Sequence, residues 1–229
     1  SRNIAIGYLA YKAADTENDN LAIGYNALSG SIDGGEYNIA IGNYSMDALT
    51  SGDNNVAVGY DALGLNTTGK ENTAIGYHAL QSNTTGDSNI SIGERAGNVI
   101  TTGSNNLIIG QAADPSGAAG ANQIVIGQGA TGHGDNIAVI GNGSATAIHP
   151  HDDNEVDLGS SSYEYKDLYI DGVAYLDGIG MGSTAMTLPT ADGSNGQVLK
   201  TDGSGALSWT NASSGASSID GLSDALIET

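Results

Sequence analysis

One phrase, Asn-x-Ala-Ile-Gly, recurs down the first two thirds of the chain. Its glycines are Gly7, Gly24, Gly42, Gly59, Gly76, Gly93, Gly110 and Gly127, spaced by 17, 18, 17, 17, 17, 17 and 17 residues, with a last step of 14 to Gly141. There is almost no helical periodicity to compete with it. A period this regular predicts stacked β coils, an all-β solenoid of about nine turns. Stacked coils build rods and adhesive surfaces more often than catalytic pockets.

Counting from each glycine, the residue three before it is Ile4, Leu21, Ile39, Val56, Thr73, Ile90, Leu107 or Ile124. The residue one before it is Ile6, Ile23, Ile41, Val58, Ile75, Ile92, Ile109 or Ile126. These positions are two apart and share one face of a strand. Being β-branched or Leu throughout, they are expected to face the inside of the coil. The residue between them is Ala5, Ala22, Ala40, Ala57, Ala74, Ser91, Ile108 or Val125. It is expected to point outward, either as an intersubunit face against which a second backbone packs closely or as a flat exposed wall.

Four before the glycine stands Asn3, Asn20, Asn38, Asn55, Asn72, Asn89 or Asn106. In stacked coils these amides fall into register and form a ladder. The glycine supplies the positive φ that lets the chain leave the strand. Tyr-x-Ala-Leu follows in the clearest copies, Tyr25–Leu28, Tyr60–Leu63 and Tyr77–Leu80, and then a polar turn such as Asn66–Gly69 or Asn83–Gly86. At about 4.8 Å per rung, nine rungs make a rod of about 40 Å. Each coil offers few interior side chains, so a single column is marginal and packing as a trimer would thicken its core.

Composition agrees with a thin, repeated core: 35 glycines, no phenylalanine and one tryptophan among 229 residues. The formal net charge is −20, from 26 acidic and 6 basic residues. That balance argues against nucleic-acid partners and against anionic membranes. It also keeps a long rod from self-association. There are no cysteines, so neither a disulfide framework nor Cys-ligated metal is expected. No run approaches the ~20 apolar residues of a membrane span. The repeat is already running at Asn3, without an initiator methionine or signal peptide, which reads as a segment of a longer protein.

The string Asn72-Thr73-Ala74-Ile75-Gly76-Tyr77-His78-Ala79-Leu80-Gln81-Ser82-Asn83-Thr84-Thr85-Gly86 closely resembles the head repeats of YadA-like trimeric adhesins, and similar repeats occur in phage tail fibres. Over residues 1–145 the resemblance implies a left-handed parallel β-roll, three chains side by side, and a surface-binding role. Asp157–Tyr169 resembles a segment common in phage tail fibres, and Leu188–Leu199 with Leu207-Ser208-Trp209 is similar to phage fibre modules. Together they favour a virion fibre over a bacterial adhesin. The expected partners are two further copies of the chain, other fibre or virion proteins, and a host cell-surface glycan or protein receptor. The expected location is the virion or the cell exterior.

The expected organisation is a head-repeat roll over 1–148, a β connector over 149–182, a small β module over 183–212, and a linker over 213–229 that ends in a short helix or a frayed end. In the connector, the alternation of Tyr165, Asp167 and Tyr169 against Leu168 and Ile170 suggests a strand, and Asp171-Gly172 a turn. Turns are also expected at Asp192-Gly193 and Asp202-Gly203.

No enzyme is expected. The sharpest local candidate for chemistry is His149-Pro150-His151. Around a three-fold axis, His149 and His151 would supply six imidazoles to one iron, nickel or zinc ion; otherwise they are exposed connector histidines. No other cofactor is expected. The loop Asp15-Thr16-Glu17-Asn18-Asp19-Asn20 alternates oxygen ligands as calcium sites do, but lacks the glycine and glutamate of an EF-hand and reads better as a solvated loop. Paired carboxylates for glycoside cleavage would need a groove that no insertion here could build. Gly127–Gly132 matches G-x-G-x-x-G with no helix after it to hold a phosphate. Tyr37, Tyr44 and Tyr60 either stack on sugars or, the better reading, pack over neighbouring rungs.

Overall fold

The computed structural model describes residues 2–12, 18–145 and 148, and in the C-terminal third 162–163, 165–167, 169–171, 178–181, 184–187, 189, 191, 193–204 and 206–211. The chain divides into two units, Ser1–His151 and Asp152–Thr229.

The first unit is the expected β-solenoid. Nine three-residue strands, β1 (Ile4–Ile6), β2 (Leu21–Ile23), β3 (Ile39–Ile41), β4 (Val56–Val58), β5 (Thr73–Ile75), β6 (Ile90–Ile92), β7 (Leu107–Ile109), β8 (Ile124–Ile126) and β9 (Ala138–Ile140), pair in sequence order in one sheet. Every pairing is parallel and joins equivalent residues, such as Ala57 with Ala74. Coils are numbered here by their strand. The 18-residue step leaves this register untouched: the extra residue is absorbed in loop 29–34, where Gly34 takes φ 100° in open space.

The face assignment drawn from the sequence is reversed. Ala22, Ala40, Ala57, Ala74, Ser91, Ile108 and Val125 are fully buried inside the coil. Ala5, on the uncovered first rung, is exposed. None of the β-branched or Leu residues on either side of these positions is buried, and several are well exposed: Ile6 58%, Ile75 40%, Ile90 41%. The reason is the thinness of the coil. Opposite walls approach so closely that the strand can offer only a small side chain to the interior, and the large ones are turned out.

Interior volume is traded between walls. In coils 2 to 5 the strand gives Ala and the wall beyond the glycine gives Leu28, Met46, Leu63 or Leu80, all fully buried. In coils 7 and 8 the strand gives Ile108 or Val125, and the positions equivalent to those large residues become Asp114, half-buried, and Thr131, exposed. Coil 6 combines Ser91 with Gly97, and a Cβ on Gly97 would stand 2.5 Å from Ser91 Oγ. Native packing density requires this compensation.

The asparagine ladder forms as expected. Asn3 Oδ1 accepts the backbone N–H of Asn20, and the pattern continues through Asn38, Asn55, Asn72, Asn89 and Asn106 to the N–H of Gln123. From Asn55 onward each side-chain amide also donates to the previous rung's Oδ1 and to a glycine carbonyl of the next rung. A shorter ladder joins Asn83 Nδ2 to Asn66 Oδ1 at 3.1 Å. It stops there because Ile100 fills the column, and Asn83 Oδ1 stays buried without a partner.

The glycines Gly7, Gly24, Gly42, Gly59, Gly76, Gly93, Gly110 and Gly127 take φ between 134° and 143°. From Gly7 to Gly110, a Cβ would run into the corner glycine of the next coil. The stretch after each corner is a turn, not a second strand. In coils 1 to 6 its second and fourth residues, such as Asp61 (φ 54°) and Leu63 (φ 53°), are left-handed; in coils 7 and 8 only the second is, and the fourth residues, Asp114 and Thr131, join in a parallel bridge.

In the second unit, β10 (Gly178–Met181) and β11 (Thr184–Thr187) form one antiparallel hairpin, and β12 (Gln197–Thr201) and β13 (Leu207–Asn211) another. The described residues of 165–171 form no strand, in place of the one expected there. The turn at Asp202-Gly203 is present: Asp202 Oδ1 accepts the N–H groups of Ser204 and Ala206. Trp209 covers Gly193 and donates to the Ala191 carbonyl at 2.8 Å. The expected linker and helix over 213–229 lie outside the described residues.

Candidate interaction surface

The outward side of the nine-stranded sheet carries two columns of residues, apolar but for Thr73, one on each side of the buried column that begins with Ala22. The first runs Ile4, Leu21, Ile39, Val56, Thr73, Ile90, Leu107, Ile124; the second runs Ile6, Ile23, Ile41, Val58, Ile75, Ile92, Ile109, Ile126. A contiguous exposed patch of this extent is uncommon on a soluble monomer. The flanking β-branched side chains keep it flat and stiff.

Beside this face, past the glycine corner, runs an aromatic ladder. Tyr8, Tyr25, Tyr44, Tyr60 and Tyr77 follow one another with ring centroids 5.7, 5.3, 5.6 and 5.5 Å apart, and His78 stacks on Tyr77 at 3.9 Å. Burial, followed by the neighbouring Tyr25 and Tyr60, pushes the Tyr44 phenol up. Below the ladder the same column becomes polar, with Gln111 donating to Glu94 and Gln128 to Gln111. Tyr44 and Tyr60 therefore pack over neighbouring rungs, the reading favoured from the sequence. Tyr37 stands outside the ladder and is 54% exposed.

A continuous aromatic ladder was not read from the sequence. The signal was there, in Tyr directly after Gly7, Gly24, Gly59 and Gly76. It is obscured in coil 3, where Asn43 takes that position and Tyr44 reaches back into line.

Of the metal candidates, His149 and His151 lie outside the described residues. Among the described residues, no group of three His, Cys, Asp or Glu side chains is placed to hold a metal ion. In the acidic loop, Asp15, Thr16 and Glu17 lie outside the described residues, while Asp19 and Asn20 have other work. Asp19 pairs both oxygens with the Arg2 guanidinium, whose hydrogen bonds hold its carboxyl below the usual range. Asn20 donates to Tyr11 Oη and the Gly35 carbonyl. Gly127, Gly129 and Gly132 belong to the last corner and turn of the roll, beside a cavity of about 480 Å³ at its C-terminal end lined in part by Ala130, His133, Val139 and Ile140.

Comparison with known proteins finds no matching family model, curated relative or solved structure. Among the described residues, no helix is long and apolar enough to cross a membrane.

Proposed function

We propose that this chain is a non-enzymatic, homotrimeric segment of an attachment fibre, a phage tail fibre or related virion appendage that presents a host-binding surface. The observation that carries the proposal is the pair of exposed apolar columns from Ile4 to Ile126. In water that face favours association, at roughly 25 cal/mol for each Å² of apolar surface covered. Three flat faces meeting around an axis would bury it. The intersubunit role expected for the alanine column passes to these isoleucine columns, since the alanines lie inside the coil. A rod with a shared apolar core and an acidic exterior suits a spacer that resists bending and self-aggregation. Its partners would be two further copies, neighbouring fibre or virion proteins, and a glycan or protein receptor on the host cell.

The head of a bacterial trimeric surface adhesin is the second reading, favoured by the Asn72–Gly86 repeat. The termini of the full-length protein separate the two. A membrane β-barrel anchor means an adhesin; a particle-binding N-terminus means a fibre.

Light scattering of the native chain tests the assembly. The expected mass is that of three chains. The double variant Ile75→Asp/Ile92→Asp, which changes only outward positions, is expected to give single chains that keep their β signal. A wild-type mass of one chain overturns the proposal.

A further inference from the structure

The aromatic ladder is the part of the roll most open to oxidation. The chain has no cysteine, its one tryptophan, Trp209, lies in the second unit, and the roll's one methionine, Met46, is fully buried. In the ladder, Tyr8, Tyr25, Tyr60 and Tyr77 are exposed and Tyr44 is half-buried. Oxidation of side chains follows their intrinsic reactivity and their exposure. A one-electron oxidant that reaches the roll from solvent therefore meets phenols first.

Ring geometry divides the ladder into two pairs and a spacer. Tyr8 and Tyr25 stand 5.7 Å apart with their planes 16° from parallel, and Tyr60 and Tyr77 stand 5.5 Å apart at 17°. Tyr44 meets Tyr25 and Tyr60 at 67° and 66°, in the edge-to-face manner. Near-parallel rings on neighbouring rungs can bring two ortho carbons together by small side-chain rotations. An edge-to-face pair sets the edge of one ring against the face of the other and does not.

The geometry points to Tyr8–Tyr25 and Tyr60–Tyr77 as two sites of oxidative cross-linking, at which a haem peroxidase using hydrogen peroxide joins neighbouring coils of one chain through dityrosine bonds. The peroxide takes one electron and one phenolic proton from each tyrosine of a pair and leaves as two waters. The resulting phenoxyl radicals carry spin on their ortho carbons. Those carbons form one C–C bond, and the hydrogen on each then moves to its own ring's oxygen, which restores both phenols. The chain loses two hydrogens per bond. Each bond links residues 17 apart in sequence, clamping coil 1 to coil 2 and coil 4 to coil 5. Such a loop restricts the unfolded chain and stabilises the folded one. The bonds run between rungs of a single chain and form alike in one copy or in three.

The test treats the intact chain, at low concentration, with a haem peroxidase and limiting hydrogen peroxide. Dityrosine fluorescence, the mass of the denatured chain and the identity of the cross-linked peptides are read. The expected product is a single chain lighter by two or four hydrogens, joined at Tyr8–Tyr25 and Tyr60–Tyr77, with an unfolding midpoint above that of the untreated chain. Tyr25→Phe/Tyr60→Phe keeps every ring and takes one phenol from each pair, and is expected to lose both bonds. Tyr44→Phe is expected to keep both. An absence of dityrosine in wild type, an unchanged yield in the double variant, or bonds formed mainly between chains or at Tyr37, Tyr163, Tyr165 or Tyr169 would each overturn the proposal.

Discussion

The Oδ1 of Asn55 accepts two hydrogen bonds from Asn72, one from its backbone N–H at 3.0 Å and one from its side-chain amide at 3.2 Å. Asn55 thus holds the fold one rung further on. Asn55→Ala leaves both Asn72 donors buried and without that acceptor, and takes one donor from the Gly69 carbonyl. The expected loss is about 3 kcal/mol of unfolding free energy, from several buried bonds at about 1 kcal/mol each. Gln128→Ala, which breaks one exposed bond to Gln111, is expected to stay within about 0.5 kcal/mol. Denaturant titration of both variants checks the contrast.

The corner glycines and the glycines of the last turn differ in what surrounds them. At Gly59, φ is 142° and a methyl group would meet the Gly76 carbonyl. At Gly129, φ is 61° with nothing within 4 Å. Gly59→Ala is expected to cost about 4 kcal/mol or more, as a strained backbone combined with a steric clash does. Gly129→Ala is expected to cost about 1–2 kcal/mol, the left-handed penalty alone. Thermal unfolding of the two variants tests the difference.

Much of the fold was legible in the sequence because the repeat is carried by residues with one use each. Asparagine at a fixed distance before glycine has little reason to recur except to stack, and Gly7 to Gly127 mark the corners directly. Sidedness was not legible. The rule that β-branched residues go inside holds for an ordinary sheet packed on another layer, and fails where Ala57 and Leu63 leave no room for Val56 or Val58. A cue lay in the Ala/Leu to Ile/Asp exchange between coils 5 and 7, since positions that compensate in volume must touch. The approach of the Asp61 carboxylate to His78 was illegible for another reason. It depends on Gly64, whose missing side chain admits a carboxylate from three residues away.

Coil 6 carries a local defect that substitution should repair. Ser91 Oγ is buried without a hydrogen-bond partner. Ser91→Ala restores the residue found in coils 2 to 5 and is expected to stabilise the roll by about 1 kcal/mol, the cost of an unpaired buried hydroxyl. Gly97→Ala should be destabilising alone and less so in the Ser91→Ala background, because its Cβ faces Ser91 Oγ. A double-mutant cycle measures that coupling.

Asp114 supplies a pH prediction at the other end of the roll. Burial raises its carboxyl above 3.8, against hydrogen bonds from the N–H groups of Val99 and Asn98 that lower it. A raised folded value means that its contribution is complete below 3.8 and is lost as pH rises through the folded value. Asp114→Asn keeps an acceptor for Val99 and removes the charge. It is expected to be more stable than wild type at pH 7, with the difference shrinking toward zero in acid, as followed by unfolding midpoints across the range.

Each coil from Gly42 to Gly127 spends 17 residues and advances the sheet by one strand. The reach of the roll is therefore an integer multiplied by about 4.8 Å. A single inserted residue has to be swallowed by a loop, as in 29–34, and adds no length. The roll works as a ruler with fixed graduations: its span changes by whole coils gained or lost, and each change leaves the chemistry at either end untouched.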